Sequence, residues 1–77
     1  GLHLRAASRI VQVAKQYECD IRIAYSGVET NAKSILGLAS LVARHRDPIE
    51  VIAEGPDEVE ALEALVHLIE IELAEEA

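Results

Sequence analysis

The sequence contains no Phe, Trp or Met, and its aromatic content is 3%, two tyrosines. A core packed to ordinary density must therefore be built from Leu, Ile, Val and Ala. There is one cysteine, Cys19. This excludes an internal disulfide framework and makes a reducing, cytoplasmic setting the simpler expectation. No apolar run approaches the about 18–20 residues of a membrane span. The opening Gly1-Leu2-His3-Leu4-Arg5 also lacks the charged-then-apolar order of a signal peptide, so membrane insertion is not expected. Basic residues are missing from the second half. Residues 47–77 hold eleven acids and no Lys or Arg, whereas all seven bases lie in residues 1–46 beside only Glu18, Asp20 and Glu29. A net charge of −7 excludes a general nucleic-acid binder, which needs a basic surface. It leaves room for a basic working face carried on an acidic scaffold. Phosphate-binding glycine loops, nucleophile elbows and zinc-protease motifs are absent. Cys19, His45 and His67 are too far apart in sequence to form a close-spaced ligand pair. No metal or cofactor is expected.

Seventy-seven residues, 51% of them apolar, make one small domain and argue against disorder. Such a chain buries only about 60% of the surface it exposes when unfolded. Ala7, Ile10, Val11 and Ala14 recur at helical spacing and predict a helix over 4–16. Residues 19–26 alternate, with Ile21, Ile23 and Tyr25 on one side and Arg22 and Ala24 on the other, which predicts a half-buried strand. Ser26-Gly27 signals a turn, and 28–32 returns as a second strand. Ser34 is a good N-cap for a short helix beginning at Ile35, and Gly37 inside it would permit close approach of a neighbour. Arg44 to Pro48 reads as a charged loop, and Ile49–Glu54 as a third strand ended by Gly55. Pro56 suits the first turn of a long helix over 56–75. Asp57, Glu58 and Glu60 complement its dipole. Its inner stripe is expected to be Val59, Leu62, Leu65, Val66, Ile69 and Leu73, with His67 at the boundary and Glu70, Glu72, Glu75 and Glu76 on a solvated end. Helix, strand, strand, helix, strand, helix is the order of an open two-layer α/β sandwich.

Two positions could carry chemistry. His3 stands just before the first helix and two residues ahead of Arg5. A helix N-terminus offers unpaired N–H groups and a partial positive charge, which suits an anion. A neutral imidazole nitrogen near pH 7 can attack phosphorus. The Leu4 and Arg5 amides and the Arg5 guanidinium could then hold the phosphoryl oxygens. Taken alone, His-x-Arg is a weak pattern, equally satisfied by an exposed histidine near a terminus. Ser34 is the second position. It is first of all a cap, but a phosphate added there would be stabilised by the helix dipole.

Three blocks together carry a resemblance. Gly1-Leu2-His3-Leu4-Arg5-Ala6-Ala7 resembles the Gly-[Leu/Ile/Met]-His-Ala-Arg-Pro-Ala active-site motif of HPr, the histidine-containing phosphocarrier of the bacterial phosphoenolpyruvate-dependent sugar phosphotransferase system. Lys33-Ser34-Ile35-Leu36-Gly37-Leu38 resembles the family's serine region. Ala53-Glu54-Gly55-Pro56-Asp57-Glu58 resembles the Ala-x-Gly-x-Asp-Glu start of its last helix. The blocks occur in order, with spacings that need no insertion or deletion, over essentially all 77 residues.

The resemblance implies that His3 accepts a phosphoryl group on Nδ1 from phosphorylated enzyme I and passes it to the A domains of sugar-specific enzymes II. Arg5 would stabilise the phosphohistidine, and the Leu4 and Arg5 amides would cradle it. Ser34 would be the target of a serine kinase and phosphorylase. Ile35, Leu36 and Ala39 would dock partners. Two alternatives share the fold: a regulatory or multidomain phosphotransfer module, and a docking module without an active histidine. On any of these readings the chain is a carrier or adaptor with no turnover site of its own.

Three departures from the family pattern follow. Ala6 replaces the motif proline, so the cradle is less pre-organised, and Leu4 adds bulk beside the ring. Val42 and Arg46 replace two glycines, so the loop that follows should differ in shape. The family sheet has strand order 1-4-2-3, and its first strand precedes the motif. The edge of the Ile49–Glu54 strand is therefore expected to be covered by a segment of a longer parent protein or by self-association of the chain.

Overall fold

A computed structural model describes residues 4–42 and 49–76. It contains α1 (Leu4–Ala14), β1 (Asp20–Tyr25), β2 (Val28–Asn31), α2 (Ile35–Val42), β3 (Ile49–Glu54) and α3 (Glu58–Glu76). The sheet is antiparallel in the order β2-β1-β3. Ile23 faces Thr30 on one side and Val51 on the other. The helices α1 and α3 pack on each other, α3 lies on β3, and α2 packs on β2 and α1. This is the expected open-faced sandwich. The expected loop over 44–48 lies outside the described residues.

The core is aliphatic, as the composition requires. Ile10, Ile21, Ile23, Leu38 and Leu65 are its largest fully buried apolar side chains, with Ala6, Ala7, Ala14, Ala32 and Ala61 filling the close approaches. The α1 stripe is as expected, with Ala6 added, and the helix ends two residues early, at Ala14. The hairpin turn has Ser26 at φ 48° and Gly27 at φ 81°, the doubly positive conformation that matches strand twist. Ser34 caps α2. Its Oγ accepts the Gly37 N–H at 3.1 Å, and its carbonyl accepts the Leu38 N–H at 3.0 Å. A Cβ on Gly37 would lie 2.0 Å from Thr30 Oγ1 and 3.3 Å from its Cβ, so the close neighbour is β2 of the same chain.

Four expectations need correction. Ala24 was placed on the solvent side of β1, yet it is buried. It is a small residue on the central strand between Glu29 and Glu50, whose longer side chains flank it. The long helix begins at Glu58, with Pro56 and Asp57 in the preceding turn. Its inner face is Ala61, Leu65, Ile69 and Glu72, while Val59, Leu62, Val66 and Leu73 are exposed. Ala61 is fully buried in the core, and Arg9 supplies a counter-charge that lets Glu72 face inward. With the inner face so placed, His67 turns to solvent, exposed and not at a boundary.

Asp57 has a second role besides the helix dipole. Its Oδ2 accepts the Glu18 N–H at 2.9 Å and its Oδ1 the Cys19 N–H at 3.0 Å. These bonds tie the start of α3 to the loop between α1 and β1. The Glu18 N–H, and then the Cys19 thiol and N–H, hold the Asp57 carboxyl below the ordinary Asp range, against the opposing effect of its partial desolvation. A carboxylate with a lowered folded-state pKa stabilises the fold above its unfolded value, near 3.8. That stabilisation is lost as pH falls through the folded-state value. Asp57→Asn keeps one amide acceptor and turns its NH2 toward the other amide. The variant is expected to be less stable than the parent at neutral pH, with the gap closing as pH falls below about 4. Urea titrations across that range check this. A constant gap would mean that Asp57 acts through shape and not through charge.

Candidate functional site

Leu4 and Arg5 lie on the first described turn of α1. His3 lies outside the described residues. It immediately precedes this turn in sequence. The Arg5 guanidinium is not idle: its Nη2 lies 3.6 Å from Glu75 Oε1 on the last turn of α3, and both side chains are about half exposed to solvent. One turn further along α1, Arg9 Nη1 donates to Glu72 Oε2 at 2.5 Å. Glu72 is fully buried, and its Oε1 has no hydrogen-bond partner among the described residues. The end of α3 expected to be simply solvated therefore supplies two carboxylates to α1.

The second candidate region is the start of α2. Leu36 is 83% exposed and Ile35 43%, on the first turn beside half-buried Ser34. Ala39, one turn on, is half-buried. Leu4, 63% exposed on the first described turn of α1, is a further exposed apolar side chain outside the expected docking set. Lys33 does not reach toward the serine. Its Nζ donates to the Tyr17 carbonyl at 2.7 Å. Three carboxylates surround Arg22 on the open face of the sheet: Asp20 at 3.2 Å, Glu29 at 2.9 Å and Glu54 at 2.6 Å. Each comes from a different strand. Arg22 is thus structural, joining β1, β2 and β3. Among the described residues no group of three His, Cys, Asp or Glu side chains is placed to hold a metal ion. No described helix is long and apolar enough to cross a membrane.

Comparison with known proteins agrees with this geometry. Residues 1–71 match the PTS-HPr family, described as the PTS HPr component phosphorylation site. The chain is 38% identical over 76 residues to the phosphocarrier protein HPr of Treponema pallidum, covering 99% of this chain and 86% of that protein. It is 46% identical over 72 residues to the HPr-like protein Crh of Halalkalibacterium halodurans, covering 94% and 86%. The crystal structure of an HPr dimer from Thermoanaerobacter tengcongensis superposes with a TM-score of 0.80 at 43% identity, covering 91% of this chain and 80% of that one. An arginine on the first described turn of α1, an exposed apolar turn after a capping serine and a family match across residues 1–71 converge on one conclusion: the chain belongs to the HPr family of phosphotransferase-system phosphocarriers.

Proposed function

We propose that this chain accepts a phosphoryl group from phosphorylated enzyme I on His3 and delivers it to enzyme IIA domains during sugar uptake in the cytoplasm. The observation that carries this reading is the family match over residues 1–71, with Arg5 on α1 two residues after the histidine of the matched motif. The ring nitrogen attacks phosphorus, the N–P bond forms, and the bond to the donor histidine breaks. The first-turn amides and Arg5 stabilise charge on the equatorial oxygens. The reverse exchange with enzyme IIA regenerates the free imidazole. Incubated with phosphoenolpyruvate and enzyme I, the chain is expected to gain acid-labile phosphate. An unlabelled chain overturns the reading.

The relative named Crh at 46% identity favours one second reading, a regulatory module acting through Ser34. That reading is supported if ATP and a serine kinase label the chain while phosphoenolpyruvate and enzyme I do not. The open edge of β3, whose described strand partner is β1 alone, is where a second copy would add. The dimeric Thermoanaerobacter protein supports looking for such association.

Docking is assigned to Ile35, Leu36 and Ala39, with Leu4 as an addition. A carrier must release each partner quickly, which a contact at the small end, roughly 1,200 Å² or less, allows. In such a contact one exposed anchor matters. Leu36→Glu is expected to weaken enzyme I binding by about tenfold or more. It should shift folding stability by no more than about 0.5 kcal/mol, since the side chain is already in water. Titration calorimetry with a parallel urea melt checks both. Unchanged affinity would remove Leu36 from the docking surface.

A further inference from the structure

The chain enters α2 from a point held by hydrogen bonds. The Ala32 N–H donates to the Ile21 carbonyl at 2.9 Å and the Ser34 N–H to the Asn31 carbonyl at 3.0 Å. The Lys33 N–H donates to Asn31 Oδ1 at 2.8 Å, and Lys33 Nζ to the Tyr17 carbonyl at 2.7 Å. These bonds tie the connection to β1, to β2 and to the chain just after α1. One turn on, the helix meets β2 again at Gly37, where there is no room for a side chain. A Cβ there would collide with Thr30 Oγ1 and would stand 3.3 Å from Thr30 Cβ and 3.5 Å from Ser34 Oγ. Thr30 is half-buried and lies opposite Ile23, whose side chain is in the core. Leu38, next to Gly37, is also in the core. The outward residues of the same turn are Ile35 and Leu36.

From this close approach we infer that Thr30 is a positioning residue for partner binding: its side chain, resting against Gly37, is the stop that sets the height of the α2 patch above β2. The inference rests on Ile35, Leu36 and Ala39 as the docking patch. Thr30 acts from beneath the helix and needs no contact with the partner. Because the entry to α2 is held, extra bulk between Gly37 and Thr30 cannot be relieved by sliding the helix along the sheet. The helix must pivot about Ser34 instead. A pivot tilts Ile35, Leu36 and Ala39 relative to α1, against which α2 packs. Leu4 belongs to α1, so the two parts of the apolar surface lose their mutual offset. A small contact that relies on one exposed anchor has little area to absorb such a change.

The test is enzyme I affinity by titration calorimetry, with urea melts to establish that each variant is folded. Gly37→Ala is expected to bind about tenfold more weakly than the parent. Alanine favours a helix more than glycine does, so a weaker helix is not the source of the loss. Thr30→Ile adds bulk to the same contact from the β2 side, with a residue that suits a strand. It is expected to weaken binding in the same direction, and it carries the test if Gly37→Ala fails to fold. The double variant Gly37→Ala/Thr30→Ala gives the new methyl the space of the lost side chain and is expected to recover to within about twofold of the parent. Gly37→Ala/Thr30→Val keeps the bulk and is expected to stay weak. Parent affinity in the folded single variants overturns the inference. So does a loss that Thr30→Ala leaves unrepaired, or one that Thr30→Val repairs equally well, since the stop would then lie elsewhere. Leu36→Glu separates the two levels: if it leaves affinity unchanged, the docking patch itself fails and this inference with it, whereas a loss confined to Leu36→Glu defeats the role of Thr30 alone.

Discussion

His3→Ala is expected to abolish acid-labile labelling from phosphoenolpyruvate, a fall of about 10³-fold or more in rate, as removal of a nucleophile does. Folding stability should hardly change, because the core among the described residues takes no side chain before Ala6. The other histidines show why the loss should be complete. His67 is exposed on α3, with Glu63 one turn before it and Glu70 one turn after it. A phosphoryl group placed there would meet carboxylates, and no arginine is paired to that stretch of the helix among the described residues. His45 stands between Arg44 and Arg46 and is the more demanding control. Label that survives His3→Ala and disappears in His45→Ala would move the acceptor to the segment 43–48. Label that is lost only with His3 leaves the helix-start site as the acceptor.

Gly55→Ala is expected to cost roughly 3–5 kcal/mol, combining backbone strain with overpacking. That is a large part of the total stability of a domain this size, about 4–12 kcal/mol. Gly55 sits at φ 145°, a conformation that side chains other than glycine's hydrogen rarely permit. A Cβ there would come within 2.8 Å of both Cα and Cβ of Cys19. Neither atom can rotate away, so relief requires a backbone shift. Two bonds resist that shift on the Gly55 side: its N–H donates to Glu58 Oε1 at 2.9 Å, and its carbonyl accepts the Glu58 N–H at 3.2 Å. On the other side, Asp57 holds the Glu18 and Cys19 amides. Cys19→Ala is not expected to rescue the variant, because the crowding involves Cα and Cβ, which alanine retains. Urea unfolding of the single and double variants checks this. A Gly55→Ala protein with the parent midpoint would show that the contact relaxes without cost.

The sequence made legible those features that local chemistry determines. Ser26-Gly27 announced a hairpin turn, Ser34 a cap, and Gly55-Pro56 the start of a helix. Each of these depends on residues within a few positions of one another. The alternation of Ile21, Ile23 and Tyr25 was also readable, because β1 is covered on one face. The orientation of α3 was not readable. Val59, Leu62, Val66 and Leu73 are as apolar as the residues that face inward, so spacing alone could not select between two arcs of one helix. The inward arc takes in buried Ala61 and a carboxylate held by an α1 arginine 63 positions away. A pair so distant leaves no periodic trace in a single sequence.

The same pairing changes the meaning of the charge division. Arg5, Arg9 and Arg22 reach across from the basic half to Glu75, Glu72 and Glu54 of the acidic half. Three of the described bases are therefore matched within the fold. The family resemblance supplied the proposed acceptor, cradle and docking region, but it gave no sign of Glu72 or Glu75.

The Gly55–Cys19 contact also makes the chain its own reporter of motion. Cys19 is 2% exposed. Burial pushes its thiol above the ordinary range, and the hydrogen bond to the Asp57 carboxylate pushes it further. A thiol in that state is nearly silent toward alkylating reagents, since the thiolate is the reactive form. Reaction must wait for the junction of Gly55, Asp57 and Cys19 to open. Where opening and reclosing are fast relative to labelling, the rate of thiol modification counts openings of the seam between α3 and the α1–β1 loop. One residue thus reads the local free energy of that junction, with no probe added and no neighbour disturbed.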